Sequence, residues 1–259
     1  MKKISDLKVL ILAGGFGSRL SESTHDLPKP LVKIGKHPII LHIIRIYLSQ
    51  GLRSFYIATG YKKNEFLKFF KFKKKHLNKR NKIQSTKFII DEKICTINLI
   101  DTGSNAMTGG RVKEAFKHIK DKMFLLTYGD GLANVNILKL IQFHLKEKKL
   151  VTVTAVNPPP RFGEITIKNS SVKKFSEKKN IKNVWINGGF FVIDKKFIEF
   201  IKTKKTILEQ EPLEKAAKLN QMSAYKHLGF WQCMDTKRDR DKLIEMVNKN
   251  KYSWLDIKS

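Results

Sequence analysis

Short, uninterrupted apolar runs alternate along this chain with segments whose apolar residues recur every three to four positions. The runs at 7–12, 54–58, 96–100, 123–127, 151–156 and 187–193 have the length and β-branched content of strands. Between them, 38–50, 63–74, 109–118 and 135–148 carry apolar residues at helical spacing. Strands apolar on both faces, separated by amphipathic helices, predict an α/β fold: a Rossmann-like, mixed but mostly parallel sheet flanked by helices. Beyond 155 the texture changes. Asn157-Pro158-Pro159-Pro160 predicts a rigid loop, 164–168 and 172–176 a hairpin-like pair, and 208–219 and 237–249 two later helices. With neither an internal repeat nor a linker, the chain reads as a single domain over 1–259.

In such sheets ligands sit beyond the carboxyl ends of the strands. The first run leads there directly, through Leu12-Ala13-Gly14-Gly15-Phe16-Gly17-Ser18-Arg19. Three glycines within four positions let the backbone bend tightly and turn bare N–H groups toward an anion. Arg19, and Lys29 within Pro28-Lys29-Pro30, add cations close behind. A dinucleotide fingerprint needs a glycine where Leu20 stands, and a Walker loop needs a Gly-Lys-Ser/Thr that is absent here. The pattern is that of a polyphosphate cradle; the plainer alternative is a strand-to-helix turn that uses glycine for packing alone.

Composition changes this picture little. The formal net charge is +29, yet only eight of the 52 basic residues are arginine and they are spread along the chain, so lysine bias explains the charge better than a nucleic-acid surface. Such a charge still raises the encounter rate with nucleotides and sugar phosphates. Segment 62–82 mixes ten basic residues with Phe66, Phe69, Phe70 and Phe72; the first three phenylalanines fall at i, i+3 and i+4, favouring a helix docked on the core over a nucleic-acid patch. Cys95 and Cys233 form neither a disulfide framework nor a metal-ligand spacing. No apolar run approaches a membrane span, and the basic opening residues lack the apolar region of a signal peptide, so a cytoplasmic location is expected, with neither membrane nor nucleic acid as partner.

Carboxylates supply the next candidates. Asp130, in Tyr128-Gly129-Asp130-Gly131, ends a predicted parallel strand and suits Mg²⁺, which takes one or two carboxylates and otherwise phosphate and water. Asp235, in Gly229-Phe230-Trp231-Gln232-Cys233-Met234-Asp235-Thr236, ends another short strand and on spacing alone suits a metal or the N-cap of the last helix equally. Glu177-Lys178 and Asn187-Gly188 carry groups suited to sugar hydroxyls and a sugar phosphate, although in so lysine-rich a chain Glu177-Lys178 by itself reads equally as a solvated pair. Between a strand and a helix, the 101–111 segment has glycines that admit a flat base; Thr108 and Arg111 are donors suited to cytosine, or simply part of a glycine-rich helix start.

Together these segments resemble the glucose-1-phosphate cytidylyltransferase family, within the sugar nucleotidyltransferases. The resemblance runs through the Gly14 loop, Thr59-Gly60-Tyr61, Asp101-Thr102-Gly103, Met107-Thr108-Gly109-Gly110-Arg111, Thr127 to Gly131, Pro159 to Gly163, Glu177-Lys178, Asn187 to Val192, Glu209 to Leu213 and Gly229 to Thr236. It implies transfer of a cytidylyl group from CTP to glucose 1-phosphate, giving CDP-glucose for surface polysaccharides and releasing pyrophosphate. It further implies that Arg19 and Lys29 hold the triphosphate, that Asp130 and Asp235 share Mg²⁺, that Glu177, Lys178, Asn187 and Gly188 face the sugar phosphate, and that the protein is a homo-oligomer. Residues 1–150 then form the nucleotide-binding half, and 151–259 the sugar-phosphate-binding half with the C-terminal helices. Two departures from the family pattern stand out: Pro160 replaces a glycine and Cys233 a proline. The alternatives are a related transferase using another triphosphate or phosphorylated acceptor, and a non-catalytic nucleotide-binding homologue.

Overall fold

Strand β1 (Lys8–Leu12) is the centre of the molecule, and its alternation of faces explains its unbroken apolar sequence. Val9 and Ile11 enter one core cluster and Leu10 and Leu12 the other, so beyond the half-buried Lys8 no position is left for a polar side chain. The computed structural model describes residues 3–15, 17, 27–72, 82–158, 163–176 and 184–257. Seven further strands complete the main sheet: β2 (Ser54–Thr59), β3 (Ile83–Ile90), β4 (Lys93–Asp101), β5 (Met123–Tyr128), β6 (Val151–Val156), β7 (Ile186–Asp194) and β8 (Met222–His227). Their spatial order is β8-β6-β7-β5-β1-β2-β4-β3. All point the same way except β7, which runs antiparallel between β5 and β6, and β3, which runs antiparallel at one edge. The mostly parallel α/β sheet is the architecture expected from the sequence, with β3 and β8 added at its two edges.

Helices cover both faces. Helices α1 (Ile39–Ser49), α2 (Lys63–Phe69), α4 (Ile137–Glu147) and α6 (Lys237–Asn248) pack against the Val9/Ile11 side, and α3 (Thr108–Ile119) and α5 (Glu211–Lys218) against the Leu10/Leu12 side. The phenylalanine-rich helix docks as its spacing predicts. Phe66 and Phe70 are fully buried, and Phe69 and Phe70 meet the ring of Phe88 on β3. The helix itself stops at Phe69, and residues 73–81 lie outside the described part of the chain. No helix among the described residues is long and apolar enough to cross a membrane.

Outside the sheet, Glu164–Lys168 and Ser171–Ser176 form an antiparallel pair. A register shift after Thr166 puts Ile165 opposite Phe175 and Ile167 opposite Val172, so four apolar side chains share one face. All four are exposed, Phe175 by 66%. A lone two-stranded ribbon with an uncovered apolar face is marginal in water.

Segment 203–208 crosses the start of α3 and is tied to it by main-chain bonds: Met107 N–H donates to the Lys204 carbonyl at 2.9 Å and Gly110 N–H to that of Thr206 at 3.2 Å. Gly110 makes this approach possible, because a Cβ there would collide with the Lys204 backbone. We expect Gly110→Ala to lower the urea midpoint, since an overpacking cost of about 1–3 kcal/mol against a main chain that cannot swing aside exceeds a helix-propensity gain of at most about 1 kcal/mol. Gly131→Ala, with open space around its Cβ, should leave the midpoint near wild type.

Candidate active site

Three elements far apart in sequence converge at the carboxyl end of β1. Pro28 and Pro30 fix the backbone on either side of Lys29, which opens the one-turn helix Lys29–Leu31. The Pro30 ring packs where Gly129 lacks a side chain, since a Cβ at 129 would lie 2.8 Å from the ring and 2.7 Å from the Leu12 carbonyl. That contact sets Lys29 against Asp130, which lies just past β5. Strand segment Gly131–Ala133 then pairs antiparallel with Trp231–Cys233, and Met234 N–H donates to the Asp130 carbonyl at 2.9 Å, which brings Asp235 alongside.

The result is one ammonium between two carboxylates. Lys29 Nζ donates to Asp130 Oδ2 at 2.5 Å and to Asp235 Oδ1 at 2.6 Å. Burial works against the charge of Lys29, but the charge of Asp130 and hydrogen bonds to both aspartates outweigh it and hold the ammonium above its usual pKa. The cap of α6 is made by Thr236 and Asp239 in a reciprocal capping box, so the N-cap alternative for Asp235 falls away. Cys233 points its thiol at Asp235 Oδ2 across 3.8 Å. Among the described residues no group of three or more histidine, cysteine or acidic side chains forms a metal cluster. Two carboxylates converging on one cation nevertheless fit a hard divalent ion that completes its shell with phosphate and water.

Two cavities meet at this cluster. One of about 490 Å³ lies between Leu12 to Gly15, Gly17, Lys29 and residues 104–108. The other, about 690 Å³, is bounded by Asn187, Gly188, Glu209, Trp231 and Asp235. Thr108, Tyr128 and Asp130 form the wall they share. Asn187 reaches the second cavity because β7 slips register between Asn187 and Phe191. Gly189 sits in this slip with φ of 84°, where a Cβ would press into the Tyr128 ring. Gly188 accepts a bond from Trp231 Nε1 at 2.8 Å through its carbonyl. Phe16, Ser18, Arg19, Glu177 and Lys178 lie outside the described residues.

The two side chains expected to donate to a base, both lining the first cavity, are also hydrogen-bonded within the protein. Arg111 is 4% exposed. Its Nη1 donates to the carbonyls of Thr59 and Gly103 and to Thr102 Oγ1, at 3.2, 2.9 and 2.7 Å. Its Nη2 donates to the carbonyls of Gly14 and Ser104 at 2.7 and 3.2 Å. The guanidinium thus ties together three loops, and Gly14 and Gly60 lack side chains where it lies against them. Burial lowers its pKa against the opposing charge of Asp101, but a group starting so far above neutrality stays charged. Thr108 donates to Glu209 Oε2 at 2.6 Å while accepting from Leu208 N–H at 2.9 Å. Arg111 lines the cavity and also braces the loops around it, through carbonyl partners that leave no signature in the sequence.

Sequence reasoning also passed over Tyr128 and Glu209 as site residues. Tyr128 donates to Glu209 Oε1 at 2.6 Å and accepts from Asn187 Nδ2 at 3.1 Å. Burial first, then the charge of Glu209, push this phenol far above its ordinary pKa, so it remains a neutral donor. The only available signals were the position of Tyr128 two residues before Asp130 and of Glu209 at the head of a family-like segment. Arg111→Met should cost about 2–4 kcal/mol in thermal or denaturant unfolding, because several buried carbonyls lose their donor at once. A side chain serving only to contact a base would leave stability unchanged and alter selectivity alone.

A family model described as nucleotidyl transferase matches residues 8–257. The glucose-1-phosphate cytidylyltransferase of Salmonella typhimurium (strain LT2) is 40% identical over 255 residues, covering 96% of this chain and 98% of that protein. The probable glucose-1-phosphate cytidylyltransferase of Bacillus subtilis (strain 168) is 36% identical over 252 residues, covering 96% and 99%. Among solved structures, HddC from Yersinia pseudotuberculosis shares the fold with a TM-score of 0.69 at 23% identity, over 93% of this chain and 99% of that one. With a match spanning nearly its whole length and sharing the sheet on which the Lys29 cluster is built, the chain belongs to the nucleotidyl transferase family.

Proposed function

We propose that this protein transfers a cytidylyl group from CTP to glucose 1-phosphate, giving CDP-glucose and pyrophosphate. The observation that carries the reading is the Asp130-Lys29-Asp235 cluster at the junction of two cavities, one beside the Gly14 loop and one beside Asn187. Full-length relatives named for this reaction supply the choice of base and sugar. In this reading residues 1–150 hold the nucleotide and 151–259 the sugar phosphate.

The reaction asks little of acid–base chemistry. The phosphate oxygen of glucose 1-phosphate is already ionised at neutral pH and attacks the α-phosphorus in line, and pyrophosphate leaves without being protonated. Leu12 to Arg19 cradle the triphosphate with main-chain N–H groups, and Lys29 and Arg19 neutralise the charge on it. Thr108 and Arg111 belong to the nucleotide side through the wall they shape, and Glu177, Lys178, Asn187 and Gly188 to the sugar side. Asp130 and Asp235 would hold Mg²⁺, which supplies further neutralisation of phosphate charge. Holding the two phosphates in line, in a cleft of fixed charges, accounts for the catalysis.

A cytoplasmic homo-oligomer completes the proposal. The exposed apolar face of the 164–176 ribbon supports a contact between copies, since such faces are rarely left open to water. Light scattering should show an assembly that Phe175→Lys weakens; a monomer at micromolar concentration would refute it.

For the reaction itself, pyrophosphate release is measured with each nucleoside triphosphate plus glucose 1-phosphate and magnesium. CTP is expected to be fastest, and a clear preference for another triphosphate would replace the reading with its nearest alternative. Asp130→Asn should lower turnover about a hundredfold or more; near-normal synthesis by that variant would remove Asp130 from the site.

A further inference from the structure

The wall between the two cavities is a chain of side chains with Glu209 at its centre. The carboxylate accepts from Thr108 on one side and from Tyr128 on the other, both at 2.6 Å, and Tyr128 accepts in turn from Asn187. The two ends of this chain differ. At the Thr108 end every partner is fixed by main chain: Thr108 opens α3, and its hydroxyl accepts from Leu208 N–H. At the other end the chain runs into the larger cavity, where Tyr128, Asn187 and Glu209 all face the open space. Glu209 borders that cavity and not the one beside the Gly14 loop.

Hydrogen-bond capacity remains at the open end. A carboxylate offers about four lone-pair sites, of which these bonds use two, while Asn187 keeps a second amide hydrogen and Tyr128 a lone pair. Asn187 is also held in orientation, because its Oδ1 accepts from Gly189 N–H at 2.9 Å. Left alone, a phenol and an amide at the rim of a cleft would sample several rotamers.

We propose that Glu209 is a positioning residue for the sugar 1-phosphate: anchored through Thr108, it pins Tyr128 and thereby Asn187 so that these two meet the hexose hydroxyls in one fixed pattern. The inference rests on the proposed reaction for the identity of the sugar, and on geometry alone for the side of the cleft affected. Its mark is a selective effect. Losing Glu209 weakens the sugar phosphate and spares the nucleotide, whereas mere loosening of the fold weakens both.

Steady-state kinetics on the full-length protein test this with four variants. Glu209→Ala and Tyr128→Phe should each raise KM for glucose 1-phosphate about tenfold, the value of one well-placed hydrogen bond, and leave KM for CTP within about twofold. The double variant Tyr128→Phe/Glu209→Ala should be no worse than the poorer single one, because both remove the same link. Glu209→Gln keeps an oxygen for Tyr128 to donate to and should restore most of the KM. Equal rises in both KM values, additive single effects, or an unchanged sugar KM in Tyr128→Phe would overturn the proposal. Tyr128→Phe keeps shape and apolar packing, so it decides the matter even where Glu209→Ala fails to fold. Should the wild type prefer another triphosphate or sugar phosphate, the functional reading fails by itself, and the same split, read with the preferred pair, still decides the role of Glu209.

Discussion

The attraction between one part-buried ammonium and two carboxylates organises this molecule. Lys29 lies 101 residues from Asp130 and 206 from Asp235, so the pairings join the start, middle and end of the chain. Any two of these groups without the third would be poorly placed: two carboxylates alone repel, and a part-buried ammonium with a single partner recovers less of its lost hydration. The surrounding architecture reads as the means of delivering them. A proline-locked turn leans on Gly129, β5 ends at the right height, and a two-stranded ribbon carries Asp235 back from the far end of the chain.

Around that cluster, flat contacts replace bulky ones. The Arg111 guanidinium lies against Gly14 and Gly60, the Tyr128 ring against Gly189, and the 203–208 crossing against Gly110. Each contact lets main chain or a planar group come closer than any Cβ would allow, and those at Gly14 and Gly189 border the cleft. The site is therefore shaped by what is missing as much as by what projects into it. Rigid donors already bonded to carbonyls need not reorganise when a charged ligand arrives, which is the condition for strong electrostatic stabilisation.

Much of this was legible in the sequence, and the gaps have physical causes. Central strands announce themselves because both faces are buried, as in Val9 to Leu12 and Val151 to Val156. Edge strands β3 and β8 escape because one face meets solvent and alternates lysine, serine and glutamine with apolar residues, a pattern shared with loops. Asp130 was found between glycines at a strand end, Lys29 between two prolines behind the glycine loop, and Asp235 at the end of a short strand-like run. Whether Asp235 caps a helix depended on Thr236 and Asp239 taking that role, which spacing could not decide. The bracing part played by Arg111 escaped notice, since its partners are mostly carbonyl oxygens common to every residue type. Glu209 stood only at the head of a matching segment and was given no role, because its meaning lies in Thr108 and Tyr128, each more than eighty residues distant.

The register slip in β7 separates two duties that a regular strand would bind together. From Phe190 to Ile193 the strand is locked into the core on both faces, but upstream of the slip Asn187 and Gly188 follow a different phase and face the cleft. Substitutions at 186 and 187 therefore leave the alternation of the buried residues untouched, while Gly188 is kept small by Val156 and the Thr154 carbonyl. This short stretch is a place where descendants of the fold can trade one sugar for another while the sheet behind it is inherited unaltered.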